Sequence, residues 1–348
     1  MMTKYRVRVA TPVDLDAWQA FVDQTKNAGG LHHAGWFNVL RQAFWVTPYY
    51  LIATDARDSI QAVLPAYHSK SLLTGSHLSS LEGGILTRDP EATVAVLSAA
   101  KDLRKQLRAS YLQIRGGPLD DRVSASVVNV KTIVETNQSS EAIWVAMTQS
   151  ARRAVRKSEN QEVEIERDVN FNGLESYYGV YAARMRDLGT PVIGLDAFQA
   201  ILQHVGRERL RLYLAWYRGR VIGGMLCIVN VDRWTSYFSA VRVSNETAFA
   251  NYKLYWQVLR DACAQRISHF DLGRSTPGSN VHIFKQRWGG CDAFDTYGFY
   301  ADPTVHVRKY GLEEMKKKQG LSRRVWKRFP LPLCNRLGPL LRKQLPFI

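Results

Sequence analysis

Two stretches of this chain carry the same order of elements although their residues barely match, and that doubling constrains the fold more than any single motif. In the first, residues 5–10 alternate as a strand, and residues 14–26 and 35–44 carry a helical period. Residues 49–53 and 60–67 are β-rich runs around a polar turn at Asp55, Arg57 and Asp58. A strand ending in Gly83-Gly84-Ile85, a helix over 91–108 and strands at 111–115 and 131–135 close the unit. The second stretch repeats this plan. A strand at 163–166 precedes helices at 174–188 and 196–205. Strands at 210–217 and 221–229 flank the turn Arg218-Gly219-Arg220 and are followed by a third at 234–240. A helix over 248–265 and strands at 269–272 and 294–300 finish it.

Such an order does not suit a doubly wound sheet, in which strand and helix alternate. It predicts an α/β (α+β) chain of two tandem units, with mixed, mostly antiparallel sheets and helices on both faces. The expected boundaries are residues 1–138, 139–305 and a tail over 306–348. One helix over 141–159 is expected to join the units.

Composition narrows the class. Hydrophobic content of 46% with 22% charged residues excludes disordered and fibrous chains. The longest apolar stretch, residues 221–231, is broken by glycines and an asparagine and falls short of the roughly 18 to 20 residues a bilayer span needs. No secretory pattern opens the sequence, so a cytoplasmic protein is expected. Cys227, Cys263, Cys291 and Cys334 form no Cys-x-x-Cys pair and no cluster with histidine, so neither a metal site nor a disulfide framework is expected.

Charge is concentrated at one end. Residues 306–348 hold twelve Lys and Arg against two Glu, ten of the sixteen net positive charges. These cations interleave with Val325, Trp326, Phe329, Leu333, Leu340 and Leu341, and four prolines break the segment into short pieces. A basic, amphipathic tail of this kind fits an anionic membrane surface. Docking on the protein's own body and contact with RNA phosphates stay open beside it.

Four passages of the second half carry a family resemblance. They are Trp144-Val-Ala-Met147 running into Ala151-Arg-Arg-Ala-Val-Arg-Lys157, then Tyr177-Tyr178 with Met185-Arg-Asp-Leu-Gly-Thr-Pro191, and Asn251-Tyr-Lys-Leu-Tyr-Trp256. The fourth and most specific is Phe270-Asp-Leu-Gly-Arg-Ser275 followed by Phe284-Lys-Gln-Arg-Trp-Gly289. Weaker echoes occur at Trp36 and Ser79-Ser-Leu-Glu-Gly-Gly84. Together these passages resemble the FemAB family, peptidyltransferases built from two GNAT-like domains, and the tail resembles its exopolysaccharide-associated branch. The resemblance implies transfer of an acyl or aminoacyl group to an amine on a sugar- or lipid-linked acceptor. It implies no tightly bound cofactor, with acyl-CoA or aminoacyl-tRNA as co-substrate, and a place at the inner face of the membrane.

Aminolysis needs a positioned amine that can lose a proton, and positive charge where the oxyanion develops. Lys285, in an expected turn with Arg287, is the candidate for that charge; a solvated basic turn over Trp288 is the duller reading. Asp271, at a strand end beside Gly273 and Arg274, is a candidate base, or else an ion-pair partner of Arg274. Ser275 donates to a phosphate or caps a turn. Arg152, Arg153, Arg156 and Lys157 crowd one helix and repel one another unless an anion such as phosphate or a tRNA backbone, or nearby glutamates, relieves them. Tyr177 and Tyr252 line a cleft or a core. His33 beside Trp36 packs a helix start or touches substrate.

The stretch ahead of the central helix of the second unit, residues 241–250, has no glycine and carries Glu246, so it is a poor cradle for an acyl-CoA pyrophosphate. A catalytically inactive scaffold of a membrane polysaccharide assembly is the rival reading from another class, and an RNA-binding module a third.

Overall fold

Polar turns and alternating apolar residues produce the same element order twice. The computed structural model describes residues 4–71, 75–117, 119, 124–301 and 323–342. The first half runs β1 (Arg6–Val9), α1 (Leu15–Asp23), α2 (Trp36–Ala43), β2 (Thr47–Thr54), β3 (Ile60–Ser71), β4 (Gly75–Glu82), the short β5 (Leu86–Thr87), α3 (Pro90–Gln106), β6 (Tyr111–Arg115) and β7 (Ser124–Glu135). After α4 (Ser140–Ala146) and α5 (Gln149–Glu159), the second half runs β8 (Val163–Asp168), α6 (Leu174–Leu188), α7 (Leu195–His204), β9 (Leu210–Tyr217), β10 (Arg220–Val229), β11 (Arg233–Val241), α8 (Ala250–Ala264), β12 (His269–Ser275), α9 (Asn280–Gln286) and β13 (Cys291–Ala301). A last helix, α10, spans Leu331–Arg342.

The strands form one sheet in the order β1-β2-β3-β4-β6-β13-β7-β12-β11-β10-β9-β8, with β5 beside β3. Most neighbours are antiparallel, and β4–β6 and β11–β12 are parallel at equivalent places in the two halves. At the centre the halves exchange their last strands: β13 pairs with β6, and β7 pairs with β12. Strands β7 and β13 pair with each other from Ile133 with Cys291 to Ser124 with Phe299.

Strand alternation sends successive residues to opposite faces. Tyr50 and Ile52 enter a core shared with α1, α2, α6 and α7, whereas Leu51 and Ala53 enter one under α3. On β9, Leu212 and Leu214 join the first core and Tyr213 joins a third under α4, α5 and α8. The core holding Trp18, Trp36, Tyr177 and Phe198 therefore spans both halves, each such side chain contributing about 1.5–3 kcal/mol by burial.

Two local expectations are corrected. The joining helix is two helices, because Met147 is extended (φ −63°, ψ 149°) and Thr148 starts α5 by accepting the Ala151 N–H at 3.3 Å. Lys285 sits not in a turn but in the last turn of α9, whose start Ser279 caps through the His282 N–H at 3.2 Å.

Candidate active site

The parallel pair β11–β12 is bonded over Arg233–Thr235 with His269–Asp271, and the ladder ends there. Just past the last bonded pair, Gly273 lets the two backbones stay close. Its φ is +80°, and a Cβ there would lie 2.4 Å from the Ser236 carbonyl oxygen, so no other residue fits without moving backbone. The Gly273 N–H donates to Asp271 Oδ1 at 2.8 Å. From α9, Lys285 Nζ donates to the carbonyls of Gly273 at 2.8 Å and Arg274 at 2.9 Å, leaving its third N–H uncommitted to them.

Burial sets the electrostatics of both groups. Asp271 is 3% exposed, and burial pushes its carboxyl above the usual carboxylate range, with Lys131 opposing and Glu82 adding to the rise. Lys285 is 5% exposed, and burial brings its ammonium down to about 8 against the pull of Asp271. Gly273 links the two groups, its N–H bonding Asp271 and its carbonyl accepting from Lys285.

Beside them lies a polar cluster on the strands where the halves meet. Glu82, at the end of β4, lies 2.7 Å from Lys131 Nζ of β7 and 2.7 Å from Arg274 Nε of β12. Lys131 also meets Asp295 of β13 at 3.1 Å. Burial alone would raise the Glu82 pKa, but Arg274 and Lys131 outweigh it and hold it below the ordinary value. Tyr297 Oη accepts from Arg274 at 3.2 Å, and the Arg115 guanidinium stands 5.8 Å from the Tyr297 ring. Arg115 donates to Gln113 Oε1 at 2.9 Å and to Tyr67 Oη at 3.4 Å.

Comparison with known proteins matches residues 146–285 to the acetyltransferase (GNAT) domain family. The crystal structure of FemX superposes with a TM-score of 0.69 over 87% of this chain and 99% of its own, at 13% identity. The chain has a FemX-like fold, and its residues 146–285 are similar to the GNAT domain. The C-terminal domain of a putative lysylphosphatidylglycerol synthetase from Agrobacterium fabrum matches at TM-score 0.60 and 9% identity, covering 88% of this chain and 96% of that one. L-PGS from Bacillus licheniformis matches at 0.56 and 11%, covering 92% and 99%. No curated protein matches the sequence.

In this chain, Lys285, Asp271, Arg274 and Ser275 come together where the β11–β12 ladder ends. Ser275 is buried, and its hydroxyl has no hydrogen-bond partner among the described residues. Other residues singled out in the sequence lie elsewhere. Arg287 donates to Tyr252 Oη at 2.9 Å, and Tyr252 sits among Phe249, Phe284 and Trp288. Arg152 caps α4, its Nη1 donating to the carbonyls of Trp144, Val145 and Met147 at 2.9–3.2 Å. Arg156 lies over the Trp144 ring and Lys157 over the Phe249 ring, while Arg153 is exposed. Tyr177 is in the core, donating to the Phe238 carbonyl at 2.7 Å. His33 is buried at a helix start, its Nδ1 accepting the Gly35 N–H, and burial holds its pKa near 4.

The start of α8 does not fit an acyl-CoA pyrophosphate. The Phe249 N–H is taken by Gln161 Oε1 at 3.1 Å, the Ser244 N–H by Thr247 Oγ1 at 2.8 Å, and exposed Glu246 stands in the same loop. At α3 the N-cap is Asp89, already bonded to Lys4, Tyr5 and the Glu91 N–H, again an anion where a phosphate would need donors. Glu82, Lys131, Asp295 and Arg115 are functional candidates that sequence reasoning missed. Their one signal is charge within strands that otherwise read as apolar.

Proposed function

We propose that this protein is an N-acyl- or aminoacyltransferase whose two GNAT-like units, residues 1–138 and 139–305, hold an amine-bearing acceptor at their junction. The observation that carries this reading is the placing of Asp271 and Lys285 on either side of Gly273, where the β11–β12 ladder ends, next to the cluster of Glu82, Lys131 and Arg274. The acceptor amine attacks the acyl carbonyl carbon as Asp271 takes its proton. The cation of Lys285 stabilises the oxyanion, and collapse expels the donor's oxygen or sulfur, which regains the proton from Asp271.

The crowded start of α8 favours an aminoacyl ester such as aminoacyl-tRNA over acyl-CoA as donor. FemX and the lipid-named synthetase neighbours support an acceptor linked to a sugar or a lipid, as in envelope or exopolysaccharide synthesis. The outward residues of the C-terminal segment, Val325, Leu333, Leu340 and Leu341 with Arg324, Lys327, Arg328 and Arg336, support a cytoplasmic protein resting on an anionic membrane. Among the described residues no helix is long and apolar enough to cross a membrane.

The decisive experiment measures binding of charged against uncharged tRNA and of acyl-CoAs, then turnover in Asp271→Asn and Lys285→Ala. Preferential binding of charged tRNA with loss of turnover in both variants supports the reading. Saturable acyl-CoA binding replaces the donor, and unchanged turnover in the variants removes the proposed chemistry in favour of a scaffold.

A further inference from the structure

The Lys285 ammonium ends a flexible stem, so its place depends on what holds the helix that carries it. α9 has seven residues, fewer than the roughly 12–15 at which an isolated helix becomes even marginally stable. Its start is capped by Ser279, and its body is gripped by one carboxylate. His282 and Gln286 stand one turn apart on the same side of α9, and both donate to Asp292 Oδ2 at 2.8 Å. His282 Nδ1 accepts the Gly278 N–H at 3.1 Å, so Nε2 carries the hydrogen that Asp292 receives. The other Asp292 oxygen accepts from the Thr132 hydroxyl at 2.9 Å. Burial would raise the Asp292 pKa, but the donors Gln286, His282 and Thr132 outweigh it and hold it below the ordinary 3.8.

Asp292 of β13 and Thr132 of β7 lie directly opposite each other in the ladder of the exchanged strands. Successive residues of a strand point to opposite faces. Thr132 therefore faces α9, whereas Lys131 beside it faces the other way and meets Glu82 and Asp295. One stretch of ladder thus sets the polar cluster on one face and α9 on the other. Lys285, one turn along from His282, reaches from that gripped helix to the carbonyls of Gly273 and Arg274. A displacement of about 1 Å at such a group costs on the order of a hundredfold in rate.

We propose that Asp292 is a positioning residue for Lys285: by gripping His282 and Gln286 from the exchanged strands, it fixes α9 so that the Lys285 ammonium stays at the Gly273 and Arg274 carbonyls. The proposal rests on the transferase reading only for what Lys285 does there; the grip itself is independent of turnover.

The test follows the Lys285 titration by nuclear magnetic resonance in the full chain carrying isotope-labelled lysine, without any substrate, with Lys285→Met giving the assignment. The native midpoint should lie at about 8. Asp292→Ala frees α9 and lets water reach the ammonium, so the midpoint should rise to about 9 or higher. Loss of a negative charge alone would move it down, so the direction separates the two effects. Asp292→Asn drops the charge but keeps an oxygen for His282 and Gln286 and an N–H for the Thr132 hydroxyl, and it should bring the midpoint back to about 8. A midpoint unmoved or lowered in Asp292→Ala, or raised equally in Asp292→Asn, would overturn the proposal. Should Asp292→Ala fail to fold, His282→Ala and His282→Gln repeat the comparison, because glutamine restores the donor; an unmoved midpoint in His282→Ala then overturns it. With substrates present, Asp292→Ala should lower kcat about a hundredfold with KM little changed, and Asp292→Asn should recover most of that loss. A raised midpoint with unchanged or absent turnover keeps this role for Asp292 and removes the transferase chemistry from Lys285.

Discussion

Arg274 Nε of β12 lies 2.7 Å from Glu82 Oε2 of β4, a buried ion pair that joins the second half of the chain to the first. Lys131, on one of the exchanged strands, holds the other oxygen of the same carboxylate at 2.7 Å. One acid thus neutralises two cations from different parts of the sequence, at the place where the halves meet.

Removing that acid leaves both cations buried without their shared carboxylate. Glu82→Gln is expected to lower stability by about 3–5 kcal/mol at pH 7, measured by urea unfolding. The pH dependence has a definite sign. The folded pKa of Glu82 lies below its ordinary 4.5, so its contribution is present above that value and fades as pH falls through the folded pKa. The gap between native and variant should therefore narrow in acid. A gap that is constant with pH would mean that Glu82 acts by packing alone.

Lys285 titrates in the opposite part of the range. Burial brings its pKa to about 8, so transfer should slow as pH rises through that value and the cation is lost. Lys285→Ala should lower turnover by about a hundredfold and abolish that limb of the profile. Stability moves the other way. Between about 8 and the ordinary 10.5 the unfolded chain holds the proton more tightly, so native stability rises with pH over this window. Lys285→Met should lack the rise; its persistence there would place the titration on another group.

How much of this was legible in the sequence depends on how local each signal is. The turn at Arg218-Gly219, with both residues at positive φ, and the alternation of residues 210–217 are local, and they gave β9 and β10 nearly to the residue. The Asp271-Leu-Gly-Arg-Ser275 run likewise marked the site strand, because only glycine tolerates the close approach at 273. The exchange of β7 and β13 has no local sign, since either strand order satisfies the same alternation. Glu82, Lys131 and Asp295 come from three separate strands, and nothing short of the pairing shows that they meet.

The strand exchange also predicts how the protein unfolds. Because β13 completes the first half and β7 the second, neither half keeps its central neighbour when the other is lost. Urea unfolding should be a single transition, coincident by tryptophan fluorescence and far-ultraviolet circular dichroism. A fragment of residues 1–138 should remain unfolded on its own. Two separated transitions would show that the halves are independent folding units despite the shared sheet.

The basic helix α5 separates two roles that its sequence blends. Arg152 satisfies three carbonyls at the end of α4, so Arg152→Ala should cost about 1–3 kcal/mol of stability whatever the helix binds. Arg153 is exposed, and Arg156 and Lys157 lie over aromatic rings at 5.4 and 5.5 Å, where their charges stay available to solvent. Alanine at these three positions should change stability by about 1 kcal/mol or less, since exposed cation–π contacts are weak. If the donor is an aminoacyl-tRNA lying along α5, the same triple variant should bind it more weakly and with a shallower dependence on salt, each lost phosphate contact removing roughly 0.7–0.9 from the slope. An unchanged slope would move the donor away from α5 and leave Arg152 as the residue of that helix with a demonstrable task.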